Sequence, residues 1–286
     1  MSMKNDKTVH DLRLSETRSV GVIGLGSVGK ALLHVLSFYH KCVGYDIKRE
    51  YSWSDILRSN CVFVCVQTPQ GVDRRLDCGH VTAVLERLAK DRFSGVVVIK
   101  STVRVGYMDD ASKKFPELRL VYSPEFLRER SSLQWTVNPD RIVLAGSKRD
   151  VDIVSKLFEW AEEAVTIQSD FLSAEIGKLA HNAFIATKVS FTNEIERVSL
   201  RNGADPRIVM EIVTADRRIK SKEHFRPYLG PYNGKCVPKD TAELISAGGD
   251  SAHLLKVVEQ VNEMAKQKGL AKSEIQSINR GVMPEA

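Results

Sequence analysis

The tightest constraint on this chain is a glycine pattern near its start. An apolar run over residues 20–24 leads into Gly24-Leu25-Gly26-Ser27-Val28-Gly29, and Asp46 ends the next apolar run about twenty residues on. Glycines at this spacing permit a tight turn, close approach of the backbone to a pyrophosphate, and close packing of helix on strand. The helix that the motif opens offers free N–H groups and positive potential to phosphates. Asp46 is placed to bind ribose hydroxyls and repels a 2′-phosphate. The expected cofactor is therefore NAD, held by Gly24, Gly26, Ser27, Val28, Gly29 and Asp46, with Lys48 and Arg49 softening the preference over NADP.

The rest of the first half alternates in the same way. Residues 20–24, 42–46, 61–66, 96–100, 118–122 and 141–145 read as buried strands, with 165–168 as a candidate seventh. Residues 28–38, 81–90, 106–114 and 151–161 read as helices between them, with a small one around 53–58. Such alternation predicts a Rossmann-type, doubly wound parallel sheet. Then the period changes. Residues 170–203 read as one long helix, Pro206 opens another with Asp205 as its N-cap, and residues 240–247 and 251–268 read as two more, the last capped by Gly269. The expected organisation is a flexible tail over 1–18, a cofactor-binding domain over 19–169, and an all-helical domain over 170–286.

The five cysteines, Cys42, Cys61, Cys65, Cys78 and Cys236, form no CxxC pair, which argues against a disulfide framework or a zinc site. Cys61 and Cys65 share a strand face with Phe63 and read as core packing. A reducing, cytoplasmic setting is expected. The most apolar early stretch, 20–36, carries four glycines and Lys30, too polar to span a bilayer. The formal net charge of +6 suits anionic ligands generally. The densest basic run, 217–226, is interrupted by Glu223 and His224 and reads as a solvated loop rather than a nucleic-acid stripe.

Several segments fall at the carboxyl ends of predicted strands, where open α/β sheets bind ligands. These are Gln67-Thr68-Pro69, Lys100-Ser101-Thr102-Val103 and Ser123-Pro124-Glu125-Phe126-Leu127-Arg128-Glu129. The long helix carries Glu175, Lys178, Asn182 and Asn193, with Lys178 and Asn182 four apart on one face. A loop rich in Gly, Pro, Tyr and Asn ends in Cys236-Val237-Pro238-Lys239-Asp240-Thr241. Taken singly, each has a plain structural explanation: a strand-ending turn at Thr68-Pro69, a snorkelling Lys178, a loop cysteine at 236.

Together and in this order, the glycine motif, TP, KSTV, SPEFLRE, K-x-x-x-N and C-x-P-K-D-T resemble the UDP-glucose/GDP-mannose dehydrogenase family over residues 19–275. The resemblance implies oxidation of a sugar nucleotide's C6 alcohol to the carboxylate with two NAD. It makes Cys236 the nucleophile and Lys178 and Asn182 the oxyanion pair. Thr102, Glu129 and Asp240 would hold and activate water. Glu125, Phe126 and Leu127 would line the sugar site, with Tyr232 and Gly234 beside it and Arg218 as a diphosphate contact. Thr68, Pro69, Thr102 and Glu129 would complete the cofactor site. A homodimer through the helical region is implied as well.

Two departures stand out. Pro231-Tyr232-Asn233-Gly234 replaces the family's G-F/Y-G-G, with Asn233 expected to tolerate left-handed backbone, and Lys220 replaces a glycine after Arg218-Ile219. The family also carries a third α/β domain of about a hundred residues or more. Fewer residues than that follow 268, so a truncated member is expected, with a partner chain as one source of the missing domain. Two alternatives stay open: a β-hydroxyacid dehydrogenase-like enzyme making a single hydride transfer, against which Cys236 argues, and a non-catalytic NAD-binding or assembly module.

Overall fold

Strands of the first half form one sheet whose central members are buried on both faces under helices, while its two edge strands are more exposed. Four of them, β1 (Ser19–Ile23), β2 (Lys41–Tyr45), β3 (Cys61–Val64) and β4 (Val96–Ile99), are joined through α1 (Ser27–Leu36), α2 (Trp53–Leu57) and α3 (Gly79–Lys90). After β4 come α4 (Tyr107–Lys114), β5 (Arg119–Tyr122), α5 (Ser132–Val137), β6 (Arg141–Gly146), α6 (Lys148–Ser155) and β7 (Val165–Ser169). This computed structural model describes residues 19–48, 51–127, 131–219 and 223–267. Expectations for the tail over 1–18, Arg49, Lys220 and the Gly269 cap lie outside the described residues.

The sheet order is β2-β1-β3-β4-β5-β6-β7. From β1 the chain passes to β2 on one side and then crosses to β3 on the other, so the switch point of the winding lies between β1 and β3. The candidate seventh strand is present as an exposed edge. One feature of the predicted parallel sheet differs: β6 runs antiparallel to β5, and β7 is parallel to β6. The cause is the chain between them. After Tyr122, α5 lies at the carboxyl edge of the sheet, where it packs on α1, before the chain enters β6. Strand β6 therefore begins at that edge, with Tyr122 facing Ala145 and Val121 facing Gly146. Reversal brings Arg141 to the ligand-binding edge, its guanidinium 3.9 Å from the Phe126 ring centroid.

The core is apolar and continuous. Val20, Val22, Leu32, Leu36, Cys61, Phe63, Val96, Val98, Val121 and Leu144 pack together with Val154 and Leu157 from beyond β6. Cys61 and Phe63 are fully buried in it, and Cys65 packs against it, as the strand pattern predicts. All five cysteines are free thiols.

By contacts, the chain divides into two units. The first takes in described residues up to Gly71 together with Leu76–Lys178, and the second Val72–Arg75 and described residues from Leu179 on. Helix α7 (Phe171–Arg201) contributes residues to both. The second unit adds α8 (Pro206–Thr214), α9 (Val237–Gly248) and α10 (His253–Gln267). Asp205 caps α8 by accepting from the Arg207 N–H, and Pro206 occupies its first turn, as expected. Helix α9 begins at Val237, three residues earlier than the apolar period predicts, and this makes Cys236 its N-cap residue. No helix among the described residues is long and apolar enough to cross a membrane.

The first turns of α7 are fixed within the first unit by a buried carboxylate. Glu175 accepts N–H bonds from Gly106 at 2.6 Å and Met108 at 2.7 Å, capping the N-terminus of α4. Burial raises the Glu175 carboxyl to about 7, with Asp109 and Asp110 adding repulsion and the two N–H groups opposing it. A carboxyl raised in the folded state holds its proton there after the unfolded chain has lost it, so stability falls as pH rises between the unfolded value and about 7. Denaturant titrations from pH 5 to pH 8 are expected to show this fall, and Glu175→Gln to flatten it.

Candidate active site

The cofactor cradle rests on backbone contact. Gly24 has φ +91°, and a side chain there would put its Cβ 2.7 Å from the Cys65 carbonyl oxygen. At Gly29 a Cβ would fall 1.9 Å from the Gly24 carbonyl oxygen. Helix α1 thus lies against its own leading turn as only glycine permits. Gly26 has open space around it, and no side chain caps α1, so the first-turn N–H groups face that space. Asp46 is fastened beside the turn, its Oδ2 accepting from Leu25 N–H at 2.9 Å and its Oδ1 from Lys48 N–H at 2.9 Å. A carboxylate held at this point can accept ribose hydroxyls. Ser27 and Pro69 are exposed and Val28 partly so, while Thr68 is buried and donates to Thr102 O at 2.6 Å. This bond and Ser101 Oγ to Val66 O at 2.7 Å tie the turns after β3 and β4 together. These residues fit a dinucleotide.

Next to the cradle, the SPEF turn and the first part of α7 assemble a charged, largely buried cluster. Lys178 is 2% exposed, and its ammonium lies 3.5 Å from Glu125 Oε1 and 5.3 Å from the Phe126 ring centroid. Glu125 Oε2 accepts the Leu127 N–H at 2.5 Å. Burial pushes the Glu125 carboxyl up, but Lys178, the Leu127 N–H and Lys100 outweigh it, leaving it below the usual range and ionised. Lys100 donates to Ser123 Oγ and Pro124 O, both at 3.4 Å. Burial lowers its ammonium to about 8, against attraction from Glu125. The Cys65 thiol, pushed up to about 12 by burial, is inert. A cleft open to solvent lies here, lined among others by Val28, Lys100, Glu125, Phe126, Trp135 and Arg141. Glu129 lies outside the described residues.

The second unit holds the thiol. Cys236 is exposed at the head of α9, and Asp240, one turn on, is 1% exposed. Asp240 Oδ2 accepts from Asn182 Nδ2 at 2.5 Å, and Oδ1 from the Lys239 ammonium at 2.7 Å. Its charge is thus compensated, and the Asn182 carboxamide is oriented with one amide hydrogen left over. Gly234 has φ +90° and Gly230 φ +74°. Asn233 does not take the left-handed geometry allowed for it, whereas Gly230 and Gly234 do. Tyr232 is 7% exposed and packs with Ala186, Val189 and Val258. Arg218 is exposed and ion-paired with Asp216 at 2.5 Å.

Comparison with known proteins adds to this geometry. Residues 45–162 match the model of the UDP-glucose/GDP-mannose dehydrogenase family's NAD binding domain, and residues 172–267 match that of its central domain. The chain belongs to the UDP-glucose/GDP-mannose dehydrogenase family. It is 36% identical over 219 residues to the UDP-glucose 6-dehydrogenase YwqF of Bacillus subtilis, covering 72% of this chain and 49% of that protein. With the UDP-glucose 6-dehydrogenase of Streptococcus pneumoniae it shares 32% over 217 residues, 71% of this chain and 55% of the relative. Among solved structures, a UDP-glucose dehydrogenase from the hyperthermophilic archaeon Pyrobaculum islandicum superposes with a TM-score of 0.79 at 27% identity, over 87% of this chain and 69% of that one. The chain spans about half the length of the curated relatives it matches. Membership supports the NAD expectation and the Rossmann-type fold.

The pattern-based reading overlooks several residues that build the site. Lys100 and Ser101 stand in the KSTV segment, and the motif alone gives them no role. Arg75 reaches Glu243 of α9 at 3.1 Å, and Arg74 pairs with Glu259 of α10. No local signal in the sequence marks that loop. For Asn262 a signal exists: it interrupts the inward stripe formed with Val258 and Val261.

Gly29→Ala is expected to destabilise the protein by about 1–3 kcal/mol through overpacking and to abolish the stabilisation of melting that NAD confers. Thermal melts with and without NAD check both.

Proposed function

We propose that this chain oxidises the C6 alcohol of a UDP-glucose-type sugar nucleotide to the carboxylate by two successive hydride transfers through Cys236. The observation that carries the reading is the placement of Cys236. It is an exposed thiol at the head of α9, one turn from an Asp240 whose charge is balanced by Lys239 and Asn182, in a chain of this family. A single hydride transfer would need no thiol.

NAD, bound at the Gly24–Gly29 turn, would accept each hydride. In the first half, the C6 alcohol loses a hydride and a proton and becomes an aldehyde. An aldehyde is a poor hydride donor until a nucleophile adds to it. The Cys236 sulfur forms a bond to C6, the carbonyl oxygen takes a proton, and a thiohemiacetal results. Loss of a second hydride and a proton leaves a thioester. Water then adds at C6, the C–S bond breaks, and the carboxylate leaves with the thiol restored. Over both halves, one alcohol, two NAD and one water give one carboxylate, two NADH and three protons.

The remaining residues have roles that follow from charge. Negative charge collects on the C6 oxygen at each stage, and the Lys178 ammonium and the free Asn182 amide hydrogen suit its stabilisation. Thr102, Glu129 and Asp240 hold and activate water. Glu125, Phe126 and Leu127, with Tyr232 and Gly234, line the sugar, and Arg218 meets the diphosphate. The protein works in the cytoplasm and as a homodimer, with a partner chain as one source of additional nucleotide contacts.

With UDP-glucose and NAD, Cys236→Ser is expected to reduce turnover by about a thousandfold or more while the Kd for NAD stays within twofold. Carbonyl trapping should then recover the aldehyde. Full activity in this variant would overturn the thiol's role.

A further inference from the structure

Residues 230–234 lead the chain to Cys236, and their backbone belongs to no helix or strand. Where such a backbone is buried, its N–H and C=O groups must find partners in side chains. Tyr232 is the buried point of this stretch. Its N–H donates to Asn262 Oδ1 at 2.8 Å, and Asn262 Nδ2 donates back to Tyr232 O at 3.1 Å. One carboxamide thus satisfies both backbone groups of one residue, as a neighbouring strand would.

Asn262 is itself 1% exposed. A carboxamide on the buried stripe of α10 costs free energy unless both of its ends are paired, and here both are, on the same residue. The flanking positions explain why the loop needs such a hold. Gly230 and Gly234 both lie at positive φ, and glycine leaves the direction of the chain on each side of Tyr232 underdetermined. A second bond, Asn193 Nδ2 to Gly230 O at 3.0 Å, secures the outer end. The Tyr232 ring anchors against Ala186, Val189 and Val258 but fixes no backbone direction.

We infer that Asn262 is a positioning residue for the Cys236 loop: its reciprocal pair with Tyr232 sets where the thiol stands at the head of α9. The inference rests on the reading of Cys236 as nucleophile for its importance, but the hold can be measured without turnover. The test is the rate of Cys236 alkylation by iodoacetamide as a function of pH, followed by peptide mass in the wild type, Asn262→Leu and Asn262→Asp.

Asn262→Leu, which removes both bonds at similar volume, is expected to change the alkylation rate by at least about fivefold and to displace its pH profile. Asn262→Asp keeps an acceptor for the Tyr232 N–H and should fall between. A profile unchanged within about twofold, with only a lower melting temperature, would overturn the inference and leave Asn262 a packing residue. If Asn262→Leu does not fold, hydrogen exchange in the wild type decides together with the Asp variant. The Tyr232 amide should be protected as well as the amides of α10, and loop-like exchange would overturn the inference. A protein that makes no NADH yet shows the expected alkylation pattern would sink the proposed reaction and leave this inference standing.

Discussion

The site on the first unit depends on one backbone contact, that of Gly29 with the carbonyl of Gly24. With 1.9 Å between a would-be Cβ and that oxygen, helix α1 can start only where a side chain is missing. The same Gly24 lies over the end of β3, where a Cβ would meet the Cys65 carbonyl. Two glycines therefore bring β1, β3 and α1 together at the switch point of the sheet. The uncapped helix start, the open ground at Gly26 and the fastened Asp46 all follow from it. The reversed β6 adds to the same edge, delivering Arg141 to the Phe126 ring.

Helix α7 serves as the frame for polar groups. Glu175, Lys178, Asn182, Asn193 and Glu196 are all buried along it, and each is paired within its own unit. Their partners are the α4 N-terminus, Glu125, Asp240, Gly230 O and Tyr228 N–H in turn. Burying so many polar side chains on one helix is tolerable because each makes at least one bond, although Glu196 Oε1 makes none, and removing one partner would strand the other. The arrangement favours definite side-chain geometry over apolar packing, as a reactive site requires.

Local pattern was enough to read the sheet, the long helix and the Asp205-Pro206 cap, because strand and helix periods differ and caps are chemically distinct. The glycine motif was equally legible, since its backbone requirement is local. The order of motifs pointed to the family. The direction of β6 was not legible, because a polar connection of that length allows either a crossover or a turn along the edge. The start of α9 is not legible, because Val237-Pro238 reads as loop and Cys236 before it makes no side-chain capping bond. Pairings between distant loops and helices, such as Arg75 with Glu243 and Asn262 with Tyr232, depend on tertiary contact and leave at most a polar residue in an apolar stripe as their trace.

The central claim is that one thiol lets a single active site take an alcohol through to an acid. Counting NADH by its near-ultraviolet absorbance against sugar acid formed, with limiting UDP-glucose and excess NAD, tests it most directly. Two NADH for each sugar consumed, with no free aldehyde, are expected. One NADH per sugar, with the aldehyde as product, or no NADH at all, would contradict it.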